Sequence, residues 1–318
     1  MKLRLVLASV ILVVAVIIVG CLPSLNKDTV KTVSLTDYKG NVVQVSTKPQ
    51  RIVSLTLGTD EILMDLVATE RIAALTRFSD DAGISHITDR SSKIENKLQS
   101  NTVEEILALK PDLVLIADWW GLEILATLRD MNIPVYVYKT PYTLAEVRDS
   151  VREVAKVVGE EEKGEKVIQR FDAKLAQLKR QVDLIPQQAK KRVVALSAHG
   201  AFGGKGSLYD DMCKYSGVIN CLADMEMQGT QTLSKEEIIR LNPDTFLITN
   251  WHTSGMQESQ TKLELLNDPS LQTVKAIQQK AIIEVSGQCI YCTSQYVADS
   301  CGLLASGAYP EFVQFERK

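Results

Sequence analysis

Aromatic and histidine side chains gather in the segments that directly follow predicted strands. All three tryptophans, Trp119, Trp120 and Trp251, lie there, together with the histidines His199 and His252. Aromatic rings at such positions can form the apolar walls of a pocket for a flat or bulky ligand. A neutral imidazole can coordinate a transition metal that has an open position. The pattern predicts a binding site for a metal chelate; alternatively, each tryptophan fills a local core and each histidine is an ordinary surface residue.

The same predicted loops supply further polar and aromatic candidates for ligand binding. Arg77 is the main fixed charge expected on one wall, where its guanidinium could bind a carboxylate or catecholate in bidentate fashion. Few other arginines lie in these loops, which favours a chelate of modest charge over a highly anionic one. The remaining candidates are aromatic: Tyr138, Tyr142, Phe202 and Tyr291.

Five cysteines follow Cys21, and all lie in the last third of the chain: Cys213, Cys221, Cys289, Cys292 and Cys301. Cys289 and Cys292 form a Cys-x-x-Cys motif before a predicted helix, where unpaired N–H groups can stabilise a thiolate. In an exported chain we expect a structural disulfide of some connectivity, with soft metal ligation or redox chemistry as alternatives. A closed zinc site is not expected, because it needs four ligands and no second Cys-x-x-Cys is present.

Motifs of catalysis and nucleotide binding are absent from the sequence. The Gly-rich run at 200–206 lacks the Gly-x4-Gly-Lys-Ser/Thr spacing that cradles phosphates. No nucleophile elbow or paired-carboxylate signature accompanies the histidines. We therefore expect that the chain is not an enzyme and that it has no intrinsic cofactor and no resident metal.

The candidate loops must be positioned by alternating strands and helices. Residues 51–55 form a short β-branched run followed by apolar residues at helical spacing, and 113–117 is continuously apolar, as in a buried parallel strand. Further strands are predicted at 71–75, 133–137 and 192–197. This alternation implies right-handed βαβ units and a parallel sheet with helices on both faces. Open sheets of this kind bind ligands outside the carboxyl ends of their strands.

A long helical segment divides the chain. Residues 160–185 carry apolar side chains spaced by threes and fours, and Pro186 ends the segment. A helix of this length spans about 39 Å, since each residue adds about 1.5 Å. It can therefore join two lobes as a stiff spine.

The segments on either side of this helix match at a constant offset of 132 residues. Val103 to Ile106 corresponds to Lys235 to Ile238, Pro111-Asp112 to Pro243-Asp244, and Trp119 to Trp251. The sequence thus predicts two copies of one α/β lobe that face each other across a cleft. The predicted organisation is a signal peptide at 1–20, a lipidated tether and lead-in at 21–47, an N-terminal lobe at 48–142, connecting helices at 143–188 and a C-terminal lobe at 189–318.

The N-terminus has the composition of an export signal. Lys2 and Arg4 precede an apolar run at 5–19, which is shorter than the about 20 residues of a membrane-spanning helix. Its end, Ile-Val-Gly-Cys, resembles a bacterial lipobox, in which the cysteine, here Cys21, becomes the lipid-bearing first residue. Cleavage leaves 34 basic and 39 acidic residues, a net charge of −5. This charge disfavours a nucleic-acid partner, so we expect none.

With these features the chain resembles the periplasmic binding proteins of the iron-siderophore, heme and vitamin B12 class, whose lobes are joined by a helical spine. The resemblance rests on RIVSL at 51–55, TVEEILALKPDLVLI at 102–116 and LSKEEIIRLNPDTFLI at 233–248. It implies two three-layer α/β/α lobes with mostly parallel sheets, which capture an iron-siderophore, heme or corrinoid for an ABC importer. A metal chelatase or a thiol-redox enzyme on the same doubled fold is the alternative.

The resemblance also implies a location and partners. It predicts an extracytoplasmic monomer that is anchored to the membrane by lipid on Cys21 and that serves the permease and ATPase subunits of an importer. In that family one glutamate on each lobe forms salt bridges with permease arginines, and the motif matches assign this role to Glu104 and Glu236, with Glu105 and Glu237 as the next candidates. The segment around Phe202 corresponds to one that supplies an aromatic ring to the ligand of B12 receptors, whereas 286–296 departs from their pattern.

Overall fold

The computed structural model describes residues 31–119, 122–197, 200–223, 225, 230–250 and 260–315. The predicted signal peptide and Cys21 lie outside these ranges. Within them, no helix combines the length and the apolar character that crossing a membrane requires.

The first lobe is built on a parallel sheet, which an antiparallel hairpin of β1 (Thr32–Thr36) and β2 (Val42–Ser46) precedes. The sheet strands are β3 (Ile52–Ser54), β4 (Ile72–Thr76), β5 (Lys97–Leu98), β6 (Leu113–Ala117) and β7 (Val135–Tyr138), in the order β5-β4-β3-β6-β7. Its helices are α1 (Leu57–Leu66), α2 (Thr88–Ser91), α3 (Val103–Ala108) and α4 (Leu122–Asp130). Short 3-10 helices occur at Thr69–Arg71 and Arg77–Asp80.

Two helices, α5 (Leu144–Val158) and α6 (Glu161–Val182), lead to the second lobe. Its strands are β8 (Arg192–Ser197), β9 (Gly200–Ala201), β10 (Ile219–Asn220), β11 (Thr245–Asn250) and β12 (Ile282–Ser286), with β10-β8-β11-β12 parallel and β9 antiparallel to β8. Its helices are α7 (Leu208–Ser216), α8 (Lys235–Leu241), α9 (Gln260–Asn267), α10 (Lys275–Gln278), α11 (Gly287–Ile290) and α12 (Val297–Ala308). Short 3-10 helices occur at Gln187–Ala189 and Pro269–Leu271.

The predicted α/β fold with two lobes and a long connecting helix is confirmed, and the internal repeat has a structural counterpart. The order β3-β6-β7 in the first lobe matches β8-β11-β12 in the second. In each lobe an aspartate fixes the start of the first of these strands: Arg51 donates its backbone N–H to Asp112 at 2.8 Å, and Arg192 donates to Asp244 at 2.9 Å. Both arginine side chains also donate to a carbonyl at the end of the helix that comes just before this aspartate, Leu109 after α3 and Leu241 in α8. The two lobes thus share their contacts as well as their sequence pattern.

Helix α6 is the predicted spine, and it is shorter than the 26 residues expected. It has 22 residues, which span about 33 Å. It begins after Gly159, which ends α5 with φ of +69°, and it stops at Val182 because the chain turns before Pro186, whose ring disfavours helix in the preceding residue. Val167 and Ile168 pack in the core of the first lobe. The later apolar residues of the stripe, Phe171, Leu175, Leu178 and Val182, pack in the core of the second lobe.

Two parts of the first lobe were not predicted as regular structure. The lead-in segment contains the β1–β2 hairpin, whose Leu35, Val43 and Val45 are buried in the core. The hairpin turn is held by the Asp37 carboxylate, which accepts the backbone N–H of Asn41 at 2.8 Å. The polar connection at 76–99 contains a 3-10 helix, α2 and β5, because its serines and aspartates form local turns.

Candidate functional site

Among the described residues, the loop after β6 carries the most exposed aromatic ring at a strand end. Trp119 is 65% exposed, although the five residues of β6 before it are all buried. Asp118 links this loop to the one after β7, because its carboxylate accepts hydrogen bonds from the backbone N–H and the hydroxyl of Thr140 at 3.2 and 2.6 Å. Trp119 therefore does not fill the core of its own lobe.

A cavity of about 330 Å³ lies beside the Gly-rich segment and is lined by residues that precede and follow the spine. Tyr142 and Phe202 contribute its aromatic lining, with Lys205 and Thr230 among the polar residues. Tyr142 is 52% exposed, and Phe202 packs edge-on against Tyr209 with their ring centroids 5.5 Å apart. Two of the predicted aromatic contacts thus meet at one cavity.

Tyr138 lies beneath the strand ends, which corrects its assignment as a direct ligand contact. It is buried, and its hydroxyl is hydrogen bonded to the Thr56 hydroxyl. Burial raises the pKa of Tyr138 above its usual range. Thr56 in turn bonds the Thr59 hydroxyl at 2.8 Å, so Tyr138 supports the loop that begins α1.

The other candidate residues are divided between the surface and the part of the chain outside the described residues. Arg77 is exposed, and its guanidinium lies 4.9 Å from the ring centroid of Phe78. Tyr291 is 40% exposed at the end of α11. Four candidates lie outside the described residues and stay predictions: Trp120, His199, Trp251 and His252.

The segment at 288–296, which contains the candidate Tyr291, contacts the first lobe directly. Gln288 donates its backbone N–H to the Gly83 carbonyl at 2.9 Å, and Gln295 donates its amide to Asp65 at 2.9 Å. Gly58 lies so close that an added Cβ would stand 2.3 Å from the Thr293 hydroxyl oxygen. We call this region the lobe junction: residues 58–65 and 82–90 of the first lobe against 288–296 of the second.

The acidic residues of the lobe junction, Glu61 and Asp65, were not predicted from the sequence. Glu61 accepts the Ser294 hydroxyl proton at 2.5 Å, and Arg90 forms an ion pair with Asp65 at 2.7 Å. One signal was present, because Glu61 and Asp65 stand four residues apart on one face of α1, where like charges destabilise an isolated helix. Such a pair indicates partners from elsewhere in the chain.

The expectation of a disulfide is wrong for this structure, because none of the buried residues Cys213, Cys221, Cys289, Cys292 and Cys301 forms one. Cys213, Cys292 and Cys301 pack as small apolar side chains in one core cluster, and Cys221 packs in a separate one. Burial raises the pKa of Cys221 to about 11 and that of Cys292 well above the usual range. A catalytic thiol needs the opposite shift, so Cys221 and Cys292 are poorly suited to redox catalysis.

Asp60 is a fully buried carboxyl group beneath the strand ends of the first lobe. Its Oδ2 accepts hydrogen bonds from the backbone N–H and the hydroxyl of Thr76 at 3.1 and 2.5 Å. Its Oδ1 has no hydrogen-bond partner among the described residues. Burial outweighs the hydrogen bonds and raises the pKa of Asp60 from 3.8 to about 8.

This buried acid predicts a dependence of stability on pH. Between pH 3.8 and about 8 the folded chain retains a proton that the unfolded chain loses, so the free energy of unfolding falls as the pH rises. The loss is up to about 1.4 kcal/mol per pH unit. Asp60→Asn, which is neutral throughout, should remove this slope. Thermal denaturation of both proteins at several pH values tests this, and parallel curves would contradict the assignment.

The acidic residues of α3 and α8 divide into two pairs. Glu105 accepts the backbone N–H groups of Gln99, Ser100 and Asn101, and Glu237 closes a capping box with Ser234. These hydrogen bonds lower the pKa of both carboxyl groups. Glu104 and Glu236 are exposed, and neither forms an ion pair with the described residues. Glu105 and Glu237 are therefore engaged by the start of their own helices, whereas Glu104 and Glu236 are free to bind a partner.

The chain is similar to known binding proteins in both sequence and fold. The family model described as periplasmic binding protein matches residues 52–288. The chain is 23% identical to the uncharacterized ABC transporter substrate-binding lipoprotein YvrC of Bacillus subtilis, over 98% of this chain and 99% of the relative.

Solved structures share the fold at low sequence identity. The apo periplasmic heme-binding protein RhuT from Roseiflexus sp. RS-1 matches with a TM-score of 0.68 and 23% identity, over 81% of this chain and 99% of that one. The molybdate-bound protein MolA of Haemophilus influenzae matches with a TM-score of 0.71 and 19% identity, over 88% and 92% of the two chains. These likenesses concern the arrangement of the two lobes.

Proposed function

Because this chain belongs to the periplasmic binding protein family, we propose that it captures a bulky metal chelate between its lobes, namely an iron-siderophore, heme or corrinoid, and delivers it to a membrane permease. The family consists of substrate-binding proteins of ABC transporters, which carry ligands and are not enzymes. The proposal concerns the chemical class of the ligand and the manner of its delivery.

The observation that carries this proposal is the exposed Trp119 at the end of a fully buried strand. Covering a large apolar ring that is in contact with water gains free energy, so such a ring at a strand end can contribute to the binding of a ligand. The aromatic lining from Tyr142 and Phe202 supports the same ligand class. A small oxyanion would instead require converging N–H donors and would leave these rings uncovered.

We also propose that lipid on Cys21 anchors the protein outside the cytoplasm. The support is the lipobox-like end of the N-terminal apolar run and the similarity to the lipoprotein YvrC. Mass spectrometry of the mature N-terminus from membranes should find a diacylglyceryl cysteine. An unmodified chain that still begins at Met1 would contradict the anchor.

The ligand class is tested on protein purified from its native host. We expect a coloured compound to copurify, with the visible spectrum of heme, a ferric siderophore or a corrinoid, and with a mass to match. After its removal, titration with each of these compounds and with molybdate should quench tryptophan fluorescence only for a chelate. Binding of molybdate alone would overturn the proposal. Turnover of a dithiol, or insertion of metal into a porphyrin, would favour the enzyme alternative.

A further inference from the structure

Three potential metal ligands are buried together at the lobe junction. The side chains of Glu61 and His86 are 1% and 8% exposed, and Cys292 is also buried. One ligand atom from each residue lies within 4.8 Å of the other two. Glu61 Oε1 is 3.0 Å from His86 Nδ1, and Glu61 Oε2 is 3.7 Å from Cys292 Sγ. This cluster is not part of the cavity lined by Tyr142 and Phe202.

The described residues leave part of the charge and hydrogen-bonding capacity of this cluster without a partner. Glu61 forms no ion pair with a lysine or arginine in the described part of the chain, since the nearby Arg90 pairs with Asp65. His86 Nε2 is buried and has no hydrogen-bond partner among the described residues. Of the two ring nitrogens, only Nδ1 has a partner in this part of the chain, the Glu61 carboxylate, which also accepts the His86 backbone N–H at 2.9 Å and the Ser294 hydroxyl at 2.5 Å. Buried charges are normally paired with an opposite charge or bound to a metal, and neither a lysine nor an arginine among the described residues supplies that charge to Glu61.

We propose that Glu61, His86 and Cys292 bind a divalent transition metal ion of the zinc type. A thiolate, an imidazole and a carboxylate together suit Zn²⁺, whereas Ca²⁺ and Mg²⁺ prefer oxygen ligands alone. Tetrahedral bonds of about 2.0–2.3 Å place zinc ligand atoms about 3.3–3.8 Å apart. The present contacts of 3.0 and 3.7 Å lie near that range. The ion takes the place of the thiol proton, which passes to solvent.

The proposed ion would connect the two lobes. Glu61 on α1 and His86 before α2 belong to the first lobe, and Cys292 follows α11 in the second. The ring of His86 is further fixed by stacking on Tyr296, with centroids 4.9 Å apart and planes 7° apart. Binding would therefore hold the two lobes together at the lobe junction, and separation of the lobes there provides the entry path. From the sequence we expected no resident metal; the site emerges only when the lobes meet.

The test uses the full-length protein, stripped with a chelator and titrated with Co²⁺ or Zn²⁺ alone. Cobalt bound by a thiolate gives a near-ultraviolet charge-transfer band, which the histidines outside the described residues cannot produce. We expect one equivalent and this band in wild type. Cys292→Ser should lose the band and bind Zn²⁺ more than about 100-fold more weakly, because the loss of even an outer partner costs about 10–100-fold. Cys289→Ser, the other thiol of the motif, is the matched control and should bind as wild type does.

A second variant protects the test against misfolding of Cys292→Ser. Glu61→Gln keeps an oxygen that accepts the Ser294 proton but removes the charge, so it should fold and yet bind Zn²⁺ more weakly. Zn²⁺ should raise the thermal midpoint of wild type and of Cys289→Ser, and raise it less in Glu61→Gln. The proposal is overturned if wild type shows no thiolate band, or if the band survives in Cys292→Ser. These readouts require no chelate ligand, so failure here leaves the transport function untouched.

Discussion

Reversing two charges, by Glu104→Arg together with Glu236→Arg, is expected to abolish ligand uptake and stimulation of the transporter ATPase, while the receptor still folds and binds its ligand. Both glutamates are exposed and correspond in the two copies of the repeat, on α3 and α8. A receptor with two matching lobes can present one carboxylate to each half of a two-fold permease. Charges at the rim of an interface govern orientation and the rate of encounter, and like charges opposed across it cost several kcal/mol.

The control for this experiment is an equal change of charge elsewhere on each lobe. Glu123→Arg with Glu311→Arg alters two other exposed glutamates, one in each lobe, and should leave uptake near the wild-type rate. Ligand titration and thermal denaturation of both double variants establish that only docking is affected. If the Glu104 and Glu236 variant still supports uptake at physiological salt, these residues are not the docking pair.

Replacing Trp119 by alanine is expected to weaken ligand binding at least tenfold. Covering one aromatic ring contributes about 1.5–3 kcal/mol, and about 1.4 kcal/mol corresponds to a factor of ten in affinity. Trp251, the counterpart of Trp119 in the repeat, carries the same expectation from the opposite lobe. The affinity of each single variant for the copurified chelate is measured by titration.

A matched control separates ligand contact from a general effect of removing an exposed apolar group. Leu184→Ala truncates a side chain of similar exposure, 68% against 65% for Trp119, that precedes β8 and so lies away from the strand ends. It should leave affinity unchanged. If both tryptophan variants lose less than about twofold in ligand affinity, the two rings are ordinary surface residues and not ligand contacts.

The elements that carry the fold were predictable because their signals are local. The buried run of β6 consists of apolar residues alone, and the Pro-Asp pairs recur at the fixed offset, so strand identity and duplication are visible in short windows. Exposed aromatic candidates such as Trp119 could be placed at strand ends for the same reason. Tyr138 could not, because its burial depends on the Thr56 loop, 82 residues away in sequence.

The contacts of the lobe junction could not be predicted from the sequence, because they join segments that are far apart in the chain. The hydrogen bond from Ser294 to Glu61 spans 233 residues, and no local pattern indicates which acid meets which hydroxyl. The cysteines illustrate the same difficulty. The predicted export of the chain favoured a disulfide, whereas Cys292 is directed toward Glu61 across the junction. Only the docking of one copy on the other decides these partners.

Different parts of α6 pack in the two hydrophobic cores, so neither lobe is an independent folding unit. Its first turns complete one hydrophobic core through Val167 and Ile168, and its later turns complete the other through Phe171 and Leu175. A cut anywhere along the helix would strip apolar cover from at least one core. Each half of the duplicated chain therefore depends on a helix that belongs to both.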